Sequence, residues 1–138
     1  MEKNQDQKEI LLVDDDPDYT ELTRTRLEAS GYQVVCASNG REALALLERK
    51  QAPSLIILDL EMPDKNGLTT LIHMNVNSSI RQSEPGAEPG GGPIPVVVAT
   101  GLQGEKIREL IMQHQISGYL KKPYGSEELI QTIQQLIG

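Results

Sequence analysis

The sequence holds a run of aspartates directly after a largely apolar segment, residues 9–13. Four of the five residues from Asp14 to Asp18 are aspartates. Carboxylates this close repel one another, and each loses hydration if it enters the protein interior. A further aspartate, Asp59, ends a second apolar run. If the two runs lie side by side, Asp14, Asp15 and Asp59 converge. Their charges then require a cation, and Mg²⁺ suits an all-oxygen site.

Two more polar residues follow short apolar runs. Thr100 comes directly after residues 96–99, and Lys122 comes soon after residues 118–120. Phosphoryl transfer to a carboxylate needs a nucleophilic oxygen and groups that neutralise charge on the phosphoryl oxygens. An aspartate, a metal ion, a hydroxyl and an ammonium together supply them. Taken singly, Thr100 and Lys122 are ordinary strand-end and surface residues, so only the combination indicates this chemistry.

Strand-length apolar runs and intervening helical patterns must position these residues. The runs are nearly continuous in apolar residues, which is typical of parallel strands covered on both faces. They are residues 9–13, 33–37, 55–58, 96–99 and 118–120. The order βαβαβαβαβα predicts an α/β fold, an open, doubly wound, five-stranded parallel sheet with right-handed crossovers. Ligands of such sheets bind beyond the carboxyl ends of the strands, where the polar residues above are predicted to meet.

The first helix is predicted from Pro17 to Ser30. Asp16 is a good N-cap, Pro17 suits the first helical position, and Gly31 can adopt the left-handed conformation that follows many helices. Asp18 lies in the first turn, where the helix dipole favours negative charge. The inward face is sparse in apolar residues, and we assign to it Leu22, Leu27, Ala29 and additionally Tyr19.

Four further helices are predicted. Their approximate bounds are residues 41–50, residue 68 onward, residues 105–113, and from the residue after Ser126 onward. Ser38 or Asn39 is expected to cap the second helix, and Ser126 to cap the last one. Their inward residues are predicted to be Ala43, Leu44, Leu46 and Leu47; Leu71, Ile72 and Val76; Ile107, Leu110 and Ile111; and Leu129, Ile130, Ile133, Leu136 and Ile137.

One segment interrupts this rhythm between the third helix and the fourth strand. Seven of the eleven residues from Ser83 to Pro93 are Gly or Pro, so neither helix nor strand can persist there. We place a Gly/Pro-rich insertion at about residues 80–94, at the amino ends of the strands. It is either a surface insertion or a loop that contacts a partner, and the residues do not separate the two.

Composition limits the class of protein. The chain has 138 residues, a formal net charge of −7, one cysteine, no Trp and no Phe. We expect a single domain over residues 1–138 with a polar tail at residues 1–8. The negative charge argues against direct binding to nucleic acid or an anionic membrane. No run reaches membrane-spanning length and no signal peptide is recognisable, so a cytoplasmic location is expected. Cys36 is expected to be a small hydrophobic strand residue.

Together these motifs resemble the receiver domain of response regulators in two-component signalling, over nearly the whole chain from about Glu9 to Ile137. The matching motifs are Leu12-Val13-Asp14-Asp15, Asp59-Leu60-Glu61-Met62-Pro63 with Gly67 downstream, Ala99-Thr100-Gly101, and Tyr119-Leu120-Lys121-Lys122-Pro123. The resemblance implies a flavodoxin-like (βα)5 fold with strand order 2-1-3-4-5. It also implies a phosphorylation-dependent switch rather than a conventional enzyme, since its chemistry is confined to its own phosphorylation and dephosphorylation.

The resemblance assigns roles to individual residues. Asp59 matches the phosphoacceptor, which takes its phosphoryl group from a sensor histidine kinase or a phosphotransfer protein. Direct Mg²⁺ ligands would be Asp15, Asp59 and the backbone carbonyl of Glu61, with Asp14 acting mainly through water. Thr100 matches the hydroxyl that turns toward the phosphoryl group. Lys122, rather than Lys121, matches the family's lysine, because it directly precedes Pro123 in an expected cis peptide.

The resemblance also implies an output. Tyr119 matches the switch aromatic, which turns inward when Thr100 moves. The surface formed by the fourth helix, fifth strand and fifth helix would then change, and an effector that the sequence does not identify would bind to it. Glu61 is acidic at a position that varies in the family, and we hypothesise that it tunes autodephosphorylation. Dimerisation on phosphorylation, and whether the receiver stands alone or belongs to a longer protein, are left open.

Two other functions are compatible with parts of this pattern. A haloacid dehalogenase-type phosphatase also uses Asp, Mg²⁺, Thr and Lys, with its nucleophile in an Asp-x-Asp motif such as Asp14 and Asp16. That motif needs Thr or Val soon afterwards, whereas Pro17 and Asp18 stand there, and a later acidic pair is missing. A receiver-like interaction module that is never phosphorylated is the third hypothesis, and the complete set of acidic, hydroxyl and lysine residues argues against it.

Overall fold

The computed structural model describes residues 8–47, 53–60, 94–101, 104–105, 108–109 and 116–138. Five strands form one sheet: β1 (Glu9–Val13), β2 (Gln33–Ala37), β3 (Leu55–Asp59), β4 (Val96–Thr100) and β5 (Gly118–Lys121). All neighbouring strands are parallel, in the order β2-β1-β3-β4-β5. The predicted α/β sheet and its strand order are confirmed.

Three strands extend one residue beyond their predicted ends. β3 includes Asp59, β4 includes Thr100 and β5 includes Lys121. The prediction stopped where the apolar residues stopped, but backbone pairing does not depend on side-chain polarity. Asp59 pairs with Ala99, and Thr100 pairs with Lys121. The polar residues are therefore fixed by the sheet itself rather than by the loops that follow it.

The core lies on both faces of the sheet. Every residue of β3 and β4 is buried, in agreement with their continuous apolar sequences. On one face the strands pack against Leu27 of the first helix and Leu129 and Ile133 of the last. On the other face they pack against Ala43 and Leu47 of the second helix. Helices thus cover both faces, as a doubly wound sheet requires.

Helix α1 covers Pro17–Ala29, one residue less than predicted. The Asp16 carboxylate accepts hydrogen bonds from the backbone N–H groups of Asp18 (3.0 Å) and Tyr19 (3.3 Å), which confirms Asp16 as the N-cap. The helix ends as predicted at a left-handed glycine, Gly31, with φ of +96°. Its polar cap and its terminal glycine therefore set both ends of α1.

The predicted inward face of α1 was partly wrong. Leu27 is buried, but Leu22 is 47% exposed and Ala29 is also exposed. The other buried residue is Thr23, one turn before Leu27. At about 100° per residue, Leu22 and Ala29 lie far around the helix from Leu27, whereas positions four residues apart share a face. Helical geometry therefore places Thr23 in the interior and leaves Leu22 partly exposed to solvent.

Helix α2 covers Gly40–Leu47 and begins at a side-chain cap. The side-chain oxygen of Asn39 accepts a hydrogen bond of 2.8 Å from the backbone N–H of Glu42, which selects Asn39 from the two predicted caps. Ala43 and Leu47 are buried, and Leu44 and Leu46 are half-buried against the same core. The predicted extension to residue 50 lies outside the described residues.

The C-terminal helix covers Ser126–Ile137. Its N-cap is Gly125, which has no side chain to bond, so the prediction that Ser126 caps the helix was wrong. Ser126 is instead the first helical residue, and Glu127 and Glu128 follow in the first turn, where the helix dipole favours their charge. The predicted inward residues Leu129 and Ile133 are buried, and three others are half-buried: Ile130, Leu136 and Ile137.

Several predictions fall outside the described part of the chain. They are the third helix with Leu71, Ile72 and Val76, the insertion at residues 80–94 except for its last residue, and the apolar residues Ile107, Leu110 and Ile111 of the fourth helix. Within that fourth helix, Glu105, Arg108 and Glu109 are helical. Among the described residues, none of the helices combines the length and apolarity needed to cross a lipid bilayer.

Cys36 lies on β2, half-buried against the core, as predicted for a small strand residue. Burial raises the pKa of its thiol. The thiolate, which is the reactive form, is therefore disfavoured at neutral pH.

Candidate functional site

Three carboxylates converge at the carboxyl ends of β1 and β3. One oxygen from each of Asp14, Asp15 and Asp59 lies within 4.8 Å of the others. The register explains this, because Val13 pairs with Leu58 and the aspartates follow directly. Asp14 and Asp59 are 4% and 3% exposed, whereas Asp15 is exposed. Two of the three charges are thus largely removed from water and need compensation from the protein or from a cation.

Backbone hydrogen bonds fix Asp14. Its own N–H donates to the carbonyl of Ala37 at 3.0 Å, continuing the β1–β2 ladder past the last strand residue. Its carboxylate oxygen Oδ1 accepts from the backbone N–H of Asp16 at 3.0 Å. The Thr20 hydroxyl lies 3.4 Å from the Asp14 carbonyl. The aspartate run therefore divides into Asp14 inside the pocket and Asp16, which caps α1.

Among the described residues, Lys122 supplies a cation to this pocket. Its Nζ lies 3.0 Å from Asp14 Oδ2 and 3.4 Å from Asp59 Oδ1. Its backbone N–H donates to the Thr100 carbonyl at 2.9 Å, which ties the lysine to the end of β4. Burial lowers the pKa of the Lys122 ammonium, but hydrogen bonding to Asp14 and the charges of both carboxylates outweigh it, so the pKa is raised.

The neighbouring Lys121 is exposed at the end of β5. The two lysines are thus distinguished by the structure: Lys122 turns into the pocket and Lys121 does not. The peptide bond between Lys122 and Pro123 is cis, as the resemblance implied. Among the described residues, a single ammonium beside three carboxylates leaves a local excess of negative charge. All-oxygen ligands with excess negative charge suit a hard divalent cation.

Thr100 and Tyr119 lie on the two strands beyond Asp59. Thr100 is fully buried at the end of β4, one residue beyond the Asp59–Ala99 pair. Tyr119 is half-buried on β5, where its backbone pairs with Val98, and it packs against the core on the α2 face. The structure thus brings Thr100 to the same rim as Asp59 and Lys122. Glu61 lies outside the described residues.

Two tyrosines adjoin the pocket in a way that the sequence did not indicate. The ring of Tyr19 lies 4.5 Å from Lys122 Nζ, measured to the ring centroid. The Tyr124 hydroxyl shares a buried hydrogen bond of 3.0 Å with the Thr23 hydroxyl. Burial raises the pKa of Tyr124 to about 12. From the sequence, Tyr19 was assigned only to helix packing. Its position in the first turn of α1, which begins next to the pocket, was the feature that could have indicated a role there.

Comparison with known proteins agrees with this geometry. Residues 10–134 match the family described as the response regulator receiver domain. The polar-differentiation response regulator DivK of Brucella anthropi is 30% identical, over 95% of this chain and 97% of its own. The transcriptional regulatory protein CpxR of Escherichia coli is 34% identical over 93% of this chain, which spans only 48% of CpxR.

A solved structure is also similar. It is the receiver domain of the sensor histidine kinase PA1611 from Pseudomonas aeruginosa, with a magnesium ion coordinated in its active site cleft. The TM-score is 0.76 at 26% identity, over 96% of this chain and 98% of that one. The strand order, the acidic pocket and the match over residues 10–134 lead to one conclusion: the chain belongs to the response regulator receiver domain family of two-component signalling.

Proposed function

We propose that the chain is a phosphorylation-dependent switch in which Asp59 accepts a phosphoryl group. The observation that carries this proposal is the surroundings of Asp59. Its carboxylate is buried at the end of a central strand, 3.4 Å from the Lys122 ammonium and next to two further carboxylates. A buried nucleophile beside a fixed cation is preorganised for a reaction that develops charge on phosphoryl oxygens.

We propose Mg²⁺ as the cofactor, and the donor set fits it. Asp15 and Asp59 would bind the ion directly, Asp14 mainly through water, and the Glu61 carbonyl would complete the protein's ligands. Three carboxylate oxygens within 4.8 Å of one another support this choice. When bound, Mg²⁺ would neutralise charge on the phosphoryl oxygens. The magnesium ion in the cleft of the similar PA1611 receiver domain also supports it.

The transfer is a displacement at phosphorus. One oxygen of the Asp59 carboxylate forms the new bond to phosphorus, while the bond from phosphorus to the donor's leaving group breaks. Lys122 stays protonated and donates hydrogen bonds to the phosphoryl oxygens, and the Thr100 hydroxyl supplies another donor. The donor is a phosphohistidine of a sensor histidine kinase or of a phosphotransfer protein. Hydrolysis of the aspartyl phosphate resets the switch.

The output would be read on the surface formed by the fourth predicted helix, β5 and the C-terminal helix. Thr100 would move toward the phosphoryl group and Tyr119 would turn inward behind it. We propose an effector or an output domain as the partner, a cytoplasmic location, and a single receiver domain over residues 1–138. CpxR supports coupling to an output, because it is a transcriptional regulator and the chain spans about half of it.

Glu61 is proposed to tune the lifetime of the phosphorylated form, since it follows Asp59 by two residues. A carboxylate there would alter the approach of the hydrolytic water. Substitution Glu61→Asn is expected to change the first-order decay of the aspartyl phosphate, measured by mass spectrometry after the phosphodonor is removed. An unchanged decay rate would remove this role.

Two contacts argue against the alternative function, a phosphatase of the haloacid dehalogenase type. That mechanism needs Asp16 as a partner of Asp14 in catalysis, but the Asp16 carboxylate accepts hydrogen bonds from the backbone of α1. The carboxylate of Asp14, the nucleophile in that mechanism, accepts a hydrogen bond from the Lys122 ammonium.

Incubation with acetyl phosphate and Mg²⁺ tests the proposed function. We expect one added phosphoryl group in the intact mass, none in the presence of EDTA, and a label that maps to Asp59. Lys122→Ala should slow labelling by about a hundredfold or more, because it removes a fixed charge from the transition state. Lys121→Ala is the matched control and should label normally. A label on Asp14, or equal effects of the two lysine substitutions, would contradict the proposal.

A further inference from the structure

An aromatic ring borders the Lys122 ammonium, in addition to the two carboxylates. Nζ lies 4.5 Å from the centroid of the Tyr19 ring. The Lys122 side chain is only 16% exposed, so protein groups rather than water form most of its surroundings. An ammonium within about 6 Å of an aromatic face is attracted by the ring, and the attraction is stronger where water is excluded.

Tyr19 is itself held at both ends. Its backbone N–H donates to the Asp16 carboxylate in the first turn of α1. Its hydroxyl accepts a hydrogen bond of 3.3 Å from the backbone N–H of Tyr124, two residues after Lys122. The rings of Tyr19 and Tyr124 meet edge to face, with centroids 5.3 Å apart and planes at 78°. The ring is therefore fixed relative to the lysine from two sides.

The ring differs from the carboxylates in what happens to it during the proposed reaction. In the proposed reaction Asp59 would become bonded to phosphorus and Asp14 would help to hold Mg²⁺, mainly through water, so the surroundings of both ionic contacts of Lys122 would change. The Tyr19 ring is neutral and takes part in neither bond change. Its attraction to the ammonium uses the π face, so N–H donors remain available for phosphoryl oxygens.

We propose that Tyr19 is a positioning residue for Lys122, whose ring face keeps the ammonium directed at the phosphoryl oxygens throughout the transfer. A lysine side chain is flexible and has many rotamers, so a fixed neighbour that does not react limits the conformations it samples. This inference rests on the proposed phosphorylation of Asp59, since it concerns the lysine's part in that step.

Two substitutions separate the ring from the hydroxyl. Tyr19→Phe keeps the ring and loses only the hydrogen bond to Tyr124, whereas Tyr19→Leu removes the ring. With saturating acetyl phosphate and Mg²⁺, we expect Tyr19→Leu to lower the labelling rate constant about tenfold and Tyr19→Phe to stay within about twofold of the wild type. The Mg²⁺ affinity measured by calorimetry should be unchanged in both, because neither variant removes a proposed ligand.

A spectroscopic signature reports the contact without any reaction. In NMR spectra of the metal-free protein, the chemical shifts of the protons on the Lys122 carbon next to Nζ should be displaced by the ring current of Tyr19. The displacement should persist in Tyr19→Phe and disappear in Tyr19→Leu. Leu27→Val is the control for general loosening of α1, because Leu27 is fully buried on that helix about two turns away. It should keep both the displacement and the labelling rate.

The outcomes distinguish this inference from the proposed function. If the wild type accepts no phosphoryl group, both fall together. If the wild type is labelled but Tyr19→Leu keeps the wild-type rate, only the positioning role is overturned. It is equally overturned if Tyr19→Phe is as slow as Tyr19→Leu, or if Leu27→Val is as slow as both. A slow leucine variant with a normal phenylalanine variant supports the role of the ring face.

Discussion

The interior of the sheet and its carboxyl-end rim each contain deeply buried residues, but burial affects stability differently in the two places. Leu58 and Asp59 are adjacent in β3 and are 0% and 3% exposed. Removing Leu58 from water stabilises the fold in proportion to its apolar area. Removing the Asp59 carboxylate from water carries a desolvation cost, which the Lys122 ammonium at 3.4 Å helps to offset. One strand therefore carries, side by side, a residue whose burial is favourable by itself and a residue whose burial needs compensation by a charge.

This contrast separates folding from chemistry. Apolar packing on both faces of β3 and β4 supports a rim at which, within the described part of the chain, three carboxylates meet one lysine and the charges do not balance. Excess negative charge at a buried site is what a metal ion can relieve. Substitutions in the interior should therefore change stability, and substitutions at the rim should change binding and reactivity.

The largest effect on stability is expected from Leu58→Ala. Truncating a fully buried leucine removes apolar area and leaves a cavity, so the free energy of unfolding should fall by about 2–5 kcal/mol. Urea denaturation followed by circular dichroism measures it. The fraction that remains folded should still accept a phosphoryl group at Asp59. A loss below about 1 kcal/mol would show that this part of the sheet repacks freely.

Mg²⁺ should stabilise the fold through the rim alone. At a concentration of about 100 times its dissociation constant, the free energy of unfolding should rise by about 2.7 kcal/mol, because the ion binds the folded state. Thermal unfolding with and without Mg²⁺ measures this. Asp15→Asn should abolish the increase, and since Asp15 is exposed it should change metal-free stability little. If Mg²⁺ raised the free energy of unfolding of that variant as much as that of the wild type, Asp15 would not be a metal ligand.

Tyr124 should make the fold sensitive to alkali. The pKa of Tyr124 is about 12 in the fold, compared with about 10 in an unfolded chain. Between those values the unfolded chain releases a proton that the folded chain retains, so rising pH favours unfolding. Stability should fall by on the order of 2 kcal/mol relative to neutral pH as pH approaches 12.

Tyr124→Phe should remove this part of the alkaline loss. The raised pKa of the Lys122 ammonium acts in the same direction, but the lysine is present in both proteins, so their difference isolates Tyr124. Urea unfolding of the two proteins at several pH values from 9 to 12 is the measurement. Parallel curves would mean that the Tyr124 hydroxyl titrates normally.

The smallest effect is expected at the edge of the pocket, from Asp16→Ala. This change removes an N-cap that accepts two backbone hydrogen bonds, and it should lower the free energy of unfolding by about 1 kcal/mol. Labelling of Asp59 should be nearly unaffected, since Asp16 is assigned to the helix. Loss of labelling with unchanged stability would show that Asp16 acts in the pocket rather than as the cap of α1.

Local patterns predicted most of the fold. Continuous apolar runs located all five strands, and Asp16 and Gly31 located both ends of α1, because these signals depend on neighbouring residues. The errors arose where contacts with other parts of the fold determine which side chains are buried or where a helix begins. Leu22 is exposed because the sheet contacts the face of α1 that carries Thr23 and Leu27. Ser126 is not a cap because the helix begins one residue earlier than its sequence signal indicates, at Ser126 itself.

The pocket was predictable for a topological reason. Carboxyl ends of parallel strands meet at one edge, so Asp14, Asp59 and Thr100 could be brought together without knowledge of side-chain geometry. The contact between Tyr19 and Lys122 could not. It depends on how a turn of α1 meets the segment after β5, about a hundred residues later in the chain. No local pattern specifies that approach.

The most direct test of the central claim is one paired measurement on Asp59→Asn. The account predicts no added phosphoryl group after incubation with acetyl phosphate and Mg²⁺, while the wild type gains one. It also predicts that the metal-free variant unfolds with a free energy equal to or above that of the wild type, because a buried charge is removed and Lys122 keeps its contact with Asp14 at 3.0 Å. Wild-type labelling of the variant, or a large loss of stability, would contradict it.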